Sequence, residues 1–474
     1  MKRQPFIAPY LFQTADGAPV PAQRGRLWVL ENRQEPASNT IELSFLRILS
    51  TARQTGPPVV FLPGGPGVSI DEYAVWLWSL LLAPLQSVCD VIFLEQRGIG
   101  QSLPRLDCLP DYHLPLDEPL DFEREVAATG EYAARWLSFW QEQGVDPAGY
   151  NAHQMASDVD DLRRALGYDQ ISLAGGSFGS HHALSVLRYH GAQVHRAAIW
   201  GIEGPDHTVK LPGQVQQCLE DLHRLALEQI DWLDGDGLLG LVAAVLEQLD
   251  RAPVVATARH PRSGDPVKIT LGKNDLQRAT AANLGSTPFL RSLPARYQAM
   301  RAADFSWLAQ EAIEYRLSPP DRNLMPILVD YASGATAARR ALIDAQTSQT
   351  LLGNGINEPF HRSHHLLGRF DLGDEFRGPL RCDVPSLLIS RDLDARTPPG
   401  NAIELLPGLP NGRHMIMSGA SHDFGSWAPP SPQLKHVLDR VWRFLAGQEI
   451  DTTTVDLPFV FEHTPSRRHI RART

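Results

Sequence analysis

A glycine-flanked serine, an aspartate and a histidine, met in that order along the chain, are the residues whose types and spacing could do chemistry. The serine lies in Gly175-Gly176-Ser177-Phe178-Gly179-Ser180, between an apolar run at 170–174 and a stretch at 181–189 with apolar spacing suited to a helix. Strand, tight turn and helix form the setting that a nucleophile elbow requires. Glycines at 175 and 179 leave room for a sharp turn, and Ser177 then takes a strained conformation that projects its hydroxyl. The helix after it aims N–H groups at any negative charge formed there. A serine hydroxyl is a poor nucleophile without a base, and the base needs a group to orient it. Both stand at the far end of the chain. Residues 384–390 read as a strand and run into Arg391-Asp392-Leu393-Asp394-Ala395-Arg396-Thr397-Pro398-Pro399. Residues 414–417 read as the next strand and run into a Gly/Ser-bracketed loop holding His422. Asp394 is the preferred acid because it lies deeper in its loop, just ahead of prolines that open a helix. Asp392 is the alternative. The chemistry implied is acyl transfer, with Ser177, His422 and Asp394 as catalytic residues.

Such a reaction needs donors for the oxyanion. Pro63-Gly64-Gly65-Pro66-Gly67 follows the buried-strand run at 58–62, and its glycines let backbone N–H groups approach a carbonyl without intervening side chains. The expected donors are the amides of Gly65 and of Phe178, each worth roughly 3 kcal/mol of transition-state stabilisation.

Taken together, PGGPG at 63–67, EQRGIGQS at 95–102, GGSFGS at 175–180 and the loops carrying Asp394 and His422 resemble one family in order and spacing. It is the proline iminopeptidase and tripeptidyl aminopeptidase family of α/β-hydrolases, which typically shows HGGPG, DQRG-x-G-x-S and GGSWGS. The likeness covers about residues 26–204 and 381–447, with a weaker likeness between. Pro63, Glu95 and Phe178 depart from the pattern without removing a catalytic group. The aromatic after the serine lies near the substrate pocket in such enzymes, so Phe178 bears on specificity. The resemblance implies an exopeptidase that releases N-terminal residues, proline among them, from peptides through an acyl-enzyme and without a cofactor. The same triad would equally serve a carboxylesterase or small-molecule amidase. An epoxide hydrolase or dehalogenase is disfavoured, because those use Asp where this chain has Ser177. An aminopeptidase must also hold a free α-ammonium group, most directly with a carboxylate. Related enzymes use acidic residues near the cap for this; Glu203, just past the strand ending near Trp200, is the first candidate and Glu358 the second.

The elements that must position these groups follow from the hydrophobic pattern. Residues 26–31 and 41–49 read as an antiparallel entry hairpin. Buried strands near Val59, Ile92, Leu173 and at 194–200 then alternate with helical stretches, including 74–85 and 155–166. That alternation predicts an α/β fold, a mainly parallel sheet with helices on both faces. From 206 to 378 the pattern is helical with Pro/Gly breaks and no clear buried strand, and the sheet resumes near Val384. The expected organisation is a first core segment 1–205, an inserted helical cap 206–378, and a second core segment 379–474.

Composition narrows the partners. The 474 residues, 43% of them hydrophobic, suffice for a large core. A net charge of −10 argues against a nucleic-acid surface. The most apolar run, 74–85, is too short to span a bilayer, and Trp76 and Trp78 read as packing residues. The first residues lack the apolar core of a secretory signal, so the expectation is an enzyme acting on a peptide or small molecule that is either cytoplasmic or secreted with its signal already removed. Cys89, Cys108, Cys218 and Cys382 form no C-x-x-C pair, which argues against a metal and for reduced thiols; secreted members of the family can carry disulfides, and Cys108 lies in a loop. His361-Arg362-Ser363-His364-His365 has no helical i, i+4 histidine pair with an acidic base between, and no nearby thiols, so it reads as a polar loop of the cap. His181 and His182 read as packing under the elbow. Arg467, Arg468, Arg471 and Arg473 read as a solvated tail.

Overall fold

The structure, a computed structural model, describes residues 4–462 except 16, 54, 79–81, 110–111, 234, 319–321 and 424–430. The side chain of Trp76 and the C-terminal arginines lie outside the described residues. In chain order the strands are β1 (Phe6–Gln13), β2 (Pro19–Leu30), β3 (Thr40–Ile48), β4 (Val59–Leu62), β5 (Val91–Leu94), β6 (Ile171–Ser177), β7 (Val194–Ile202), β8 (Val254–Arg259), β9 (Pro266–Leu271), β10 (Ser386–Arg391), β11 (Gly412–Ser418) and β12 (Val455–Asp456). All but β8 and β9 form one sheet in the order β1-β2-β3-β5-β4-β6-β7-β10-β11-β12. Strands β1 to β3 are an antiparallel meander, and from β5 to β12 every pairing is parallel. The entry hairpin at 26–49 is therefore the inner part of β2 and β3, with β1 added outside it.

Strands β4 and β5 are apolar at every position because they are covered on both faces. Their side chains divide by alternation. Val59, Phe61, Val91 and Phe93 join the core of one face with helices Ile70–Leu77 and Pro432–Leu445. Val60, Leu62, Ile92 and Leu94 join the other with helices Ala152–Ala165 and Phe178–His190. Each fully buried Leu, Val or Phe contributes about 1.5–3 kcal/mol of transfer free energy. The connection after β4 runs one way along the sheet and that after β6 the other. The carboxyl ends of β4 and β6 thus flank a topological switch point, where an open α/β sheet places its crevice.

Between β7 and β10, which pair with each other, the chain makes a long excursion. It contains helices from Pro212–Gln229 to Gly373–Arg377 and, against the all-helical expectation, the antiparallel hairpin of β8 and β9. The hairpin escapes sequence reading because its strands are short and half exposed, so neither shows a buried run. The insertion has its own apolar core, built around residues such as Leu219, Val245 and Leu290, and Leu393 and Ala395 join it. Among the described residues no helix is long and apolar enough to cross a membrane. The four cysteines are unbridged, Cys89 and Cys218 buried and the others half-buried.

The segment 95–102 is a structural junction. Glu95 accepts from the backbone N–H groups of Ile70 (3.0 Å) and Gln101 (3.3 Å), and burial pushes its carboxyl up to about 7. Arg97, wholly buried, grips Asp158 through Nε (2.8 Å) and Nη2 (2.7 Å) and donates to the carbonyls of Glu31 and Gly149. One guanidinium thereby ties β2, the helix Ala152–Ala165 and the β5 loop together. Replacing Arg97 with Ala strands a buried carboxylate and is expected to cost about 3–5 kcal/mol in urea unfolding. A loss below about 1 kcal/mol would show that Arg33, which also reaches Asp158, carries the pairing alone.

Candidate active site

Strand β6 ends on Ser177, whose backbone stands at φ 56° and ψ −128° before the helix Phe178–His190 begins. A side-chain-bearing residue rarely adopts positive φ, and holding it there costs of order 1–3 kcal/mol. The surroundings enforce it. A Cβ on Gly175 would lie 2.8 Å from the Leu62 carbonyl, one on Gly179 would lie 2.1 Å from it, and one on Gly176 would lie 1.9 Å from Trp200 Nε1. The turn is therefore pressed against β4 on one side and β7 on the other.

The loops after β10 and β11 meet this turn. His422 Nε2 is 3.1 Å from Ser177 Oγ, and His422 Nδ1 is 2.9 Å from Asp394 Oδ2. Asp394 is 1% exposed and fully engaged. Its Oδ1 accepts from the N–H groups of Arg396 and Thr397, both at 2.9 Å, and its Oδ2 from the Thr397 hydroxyl at 2.7 Å. Burial alone would raise its pKa. The charge and hydrogen bond of His422, then Arg391 and Thr397, outweigh burial and hold the carboxyl well below the usual carboxylate range. Arg391 also donates to the His422 carbonyl at 3.1 Å. The alternative acid points elsewhere: Asp392 accepts from Ser418 Oγ (2.7 Å) and Gly419 N (2.8 Å), locking the end of β11.

The 63–67 loop lies over the same turn. A Cβ on Gly64 would be 3.5 Å from Ser177 Cβ, and Gly65 and Gly67 have φ of +105° and +101°. Gln96 shapes the loop, accepting from Gly67 N (2.8 Å) and donating to the Pro63 carbonyl (3.0 Å). The Gly67 amide is thus used within the loop. Phe178 opens its helix with a first-turn amide, while its ring is buried, stacks on His181 at 5.7 Å, and packs with Leu324 and Met325 of the insertion.

A model described as the alpha/beta hydrolase fold matches residues 57–429. The chain belongs to that family. Serine protease Hip1 of Mycobacterium tuberculosis, and the protein of the same name from Mycobacterium bovis, are 29% identical over 165 residues, 33% of this chain and 31% of theirs. The match thus spans about a third of these relatives' length. Among solved structures, a malate-bound thermophilic esterase of Thermogutta terrifontis aligns over 89% of this chain and 98% of its own, with 16% identity and a TM-score of 0.39.

In this alpha/beta hydrolase the carboxylate at 203 has a partner of its own. Glu203 is 6% exposed, and its Oε2 accepts from Lys210 Nζ at 2.8 Å. Burial is outweighed by Lys210 and the neighbouring histidines, which hold its carboxyl low. A buried carboxylate already paired with an ammonium is poorly placed to take a second one, and this separates Glu203 from the anchoring role expected of it. Glu358 is also buried, held by Arg362 Nε at 2.7 Å through Oε1, while its Oε2 has no hydrogen-bond partner. Burial pushes its carboxyl up. Its neighbour Glu125 resembles it: Oε1 accepts from the Tyr315 hydroxyl, Oε2 is unpartnered, and the side chain is wholly buried. Burial pushes Glu125 up to about 7, Arg278 opposing and Glu358 adding to the rise.

His181 does more than pack: it contacts the Gly204 carbonyl and Ser333 Oγ, both at 3.2 Å, bridging β7's exit to the insertion. His361 pairs with Asp344 at 2.8 Å, and His364 donates to the His361 carbonyl. Sequence reading passed over Thr397 and Glu125. Thr397 had a usable signal, since Asp-x-x-Thr ahead of prolines is the pattern of a side-chain-capped turn. Glu125 had none; its partners are far away in sequence. Substituting Gly179 with Ala drives a Cβ into a backbone oxygen that no rotamer change can relieve. The variant is expected to lose about 1–3 kcal/mol of stability in denaturant unfolding; an unchanged midpoint would mean the elbow is looser than its contacts indicate.

Proposed function

We propose that the chain is a serine hydrolase acting as an exopeptidase, with the 206–378 insertion serving as the cap that selects an N-terminal amine. The observation that carries the catalytic part is the continuous relay Ser177 Oγ, His422 Nε2, His422 Nδ1, Asp394 Oδ2, with links of 3.1 and 2.9 Å. In this reading His422 takes the Ser177 proton as the hydroxyl attacks the carbonyl. Asp394 fixes the tautomer with the proton on Nδ1 and stabilises the imidazolium. The amides of Gly65 and Phe178 receive the oxyanion, aided by the helix N-terminus. The amine leaves with the proton returned by His422, and water resolves the acyl-enzyme by the same route.

The exopeptidase part draws support from the pair Glu125 and Glu358. Both are buried and each keeps one oxygen without a hydrogen-bond partner, which is costly, while the other oxygen faces Arg362 at 2.7 Å in Glu358 and Arg278 at 3.9 Å in Glu125. Both border the apolar cluster that contains Phe178: Glu125 through Tyr315, and Glu358 through Phe360 two residues on. A substrate ammonium donating to those two unpartnered oxygens would satisfy them and favour the charged carboxylates, the role expected of Glu203. That the partial relative Hip1 is named a serine protease agrees with peptide substrates.

Hydrolysis of aminoacyl p-nitroanilides, free and N-acetylated, beside a short-chain ester decides the matter. Turnover of free-amine substrates that disappears on acetylation and in Ser177→Ala is expected. Ester turnover indifferent to the amine would replace this reading with a carboxylesterase or amidase. Glu125→Gln and Glu358→Gln are each expected to raise KM for free-amine substrates about 10-fold or more while leaving ester kcat unchanged. Because Glu125 ionises only above about 7, KM for these substrates should fall as pH rises through that value. It should rise again when the substrate amine deprotonates near pH ~8. A KM flat from pH 6 to 8, about the span of that titration, would remove Glu125 from the anchor.

A further inference from the structure

The turn of the insertion at residues 282–287 touches both loops that carry the base and the acid. On the histidine side, Asp423 N donates to the Gly285 carbonyl (3.0 Å), and Ser421 Oγ reaches the Leu284 carbonyl at 3.4 Å. Asp423 in return accepts from Thr287 N (2.9 Å) through Oδ2 and from Thr287 Oγ1 (2.5 Å) through Oδ1. On the acid side, Arg396 Nη2 donates to the Ala282 carbonyl at 2.8 Å. Gly285 sits between the two loops: a Cβ there would meet Arg396 Cδ at 3.0 Å and His422 Cβ at 3.2 Å.

The helix Thr287–Arg301 begins at this turn, and its own N-cap residue, Ser286, makes no side-chain cap. The Thr287 amide, at the first helical position, is one of the donors that no helix satisfies internally, and Pro288 after it has no N–H. Asp423 supplies the missing acceptor from the other side, and its negative charge suits the positive end of the helix. The residue directly after the histidine thus acts as the N-cap of an insertion helix. The insertion's apolar core adds to this, since Leu393 and Ala395, on either side of Asp394, are buried in it.

We propose that Asp423 and Thr287 form a latch between insertion and core, with Asp423 a positioning residue for His422. Movement of the insertion is thereby transmitted to the base of the triad. The proposal rests on the serine-hydrolase reading for its catalytic consequence, and not on peptide over ester substrates.

The test compares wild type with Asp423→Ala, Asp423→Asn, Thr287→Ala and the Asp423→Ala/Thr287→Ala double variant. A short-chain p-nitrophenyl ester reports catalysis, and hydrogen exchange by mass spectrometry reports the latch itself. With the fold retained, Asp423→Ala is expected to lower kcat about 10- to 100-fold with KM within about twofold. Peptides covering 282–287 and 415–423 should lose protection together. Asp423→Asn, which keeps an oxygen acceptor for Thr287, should recover most of kcat. The double variant should be no worse than Asp423→Ala alone, because the two residues act as one unit. Unchanged kcat and unchanged exchange in both segments in folded Asp423→Ala would overturn the latch. So would a double variant whose losses add. If Asp423→Ala does not fold, Thr287→Ala decides by the same two readouts. A wild type that hydrolyses no ester or amide would sink the hydrolase reading, and coupled exchange of the two segments would still decide the latch.

Discussion

The strained backbone of Ser177 is the constraint on which the site depends. A residue at φ 56° persists only where its surroundings leave no alternative, and here they are the carbonyl of Leu62, the indole of Trp200 and the first turn of the helix Phe178–His190. Three glycines allow that approach, and the sheet supplies the force. Strands β4, β6 and β7 are buried on both faces, so the apolar packing that stabilises the fold also holds the hydroxyl outward. Burial energy of the core is in this sense converted into orientation of one oxygen.

Electrostatics complete what packing begins. Asp394 is a buried anion whose two oxygens are occupied by backbone N–H groups, the Thr397 hydroxyl and the His422 imidazole. That saturation leaves the carboxylate no freedom to rotate, and the imidazole follows its geometry. The junction at 95–102 plays a parallel part for the loop at 63–67, with Gln96 bonding directly to that loop and Glu95 securing the helix beyond it. A motif that reads in sequence as a family signature is, physically, a set of buried side chains that shape someone else's backbone.

Much of this was legible because the relevant signals are local. The elbow is six consecutive residues between a strand and a helix, and Asp394 and His422 each follow an apolar run by a few positions. The parallel strands are legible for the same reason, since burial on both faces writes an unbroken apolar word such as Val59-Val60-Phe61-Leu62. What escaped depends on the partner that folding brings to a side chain, or on strands too short or too exposed to show a pattern. Glu203 looks like a free carboxylate at the sheet's edge until Lys210 folds back on it. Glu125 is unremarkable in the first turn of its helix until Tyr315, some 190 positions on, and Glu358 surround it. Strand β12 is two residues long, and β8 and β9 are half exposed, so none carries a periodic signal.

The central claim is that Ser177 is a nucleophile activated by His422. Its most direct test is intact-protein and peptide-level mass spectrometry after reaction with an aryl phosphonofluoridate. One covalent adduct, located on Ser177 and formed far more slowly in His422→Ala, is the predicted result. An adduct on another residue, or labelling that persists unchanged in Ser177→Ala, would contradict the account.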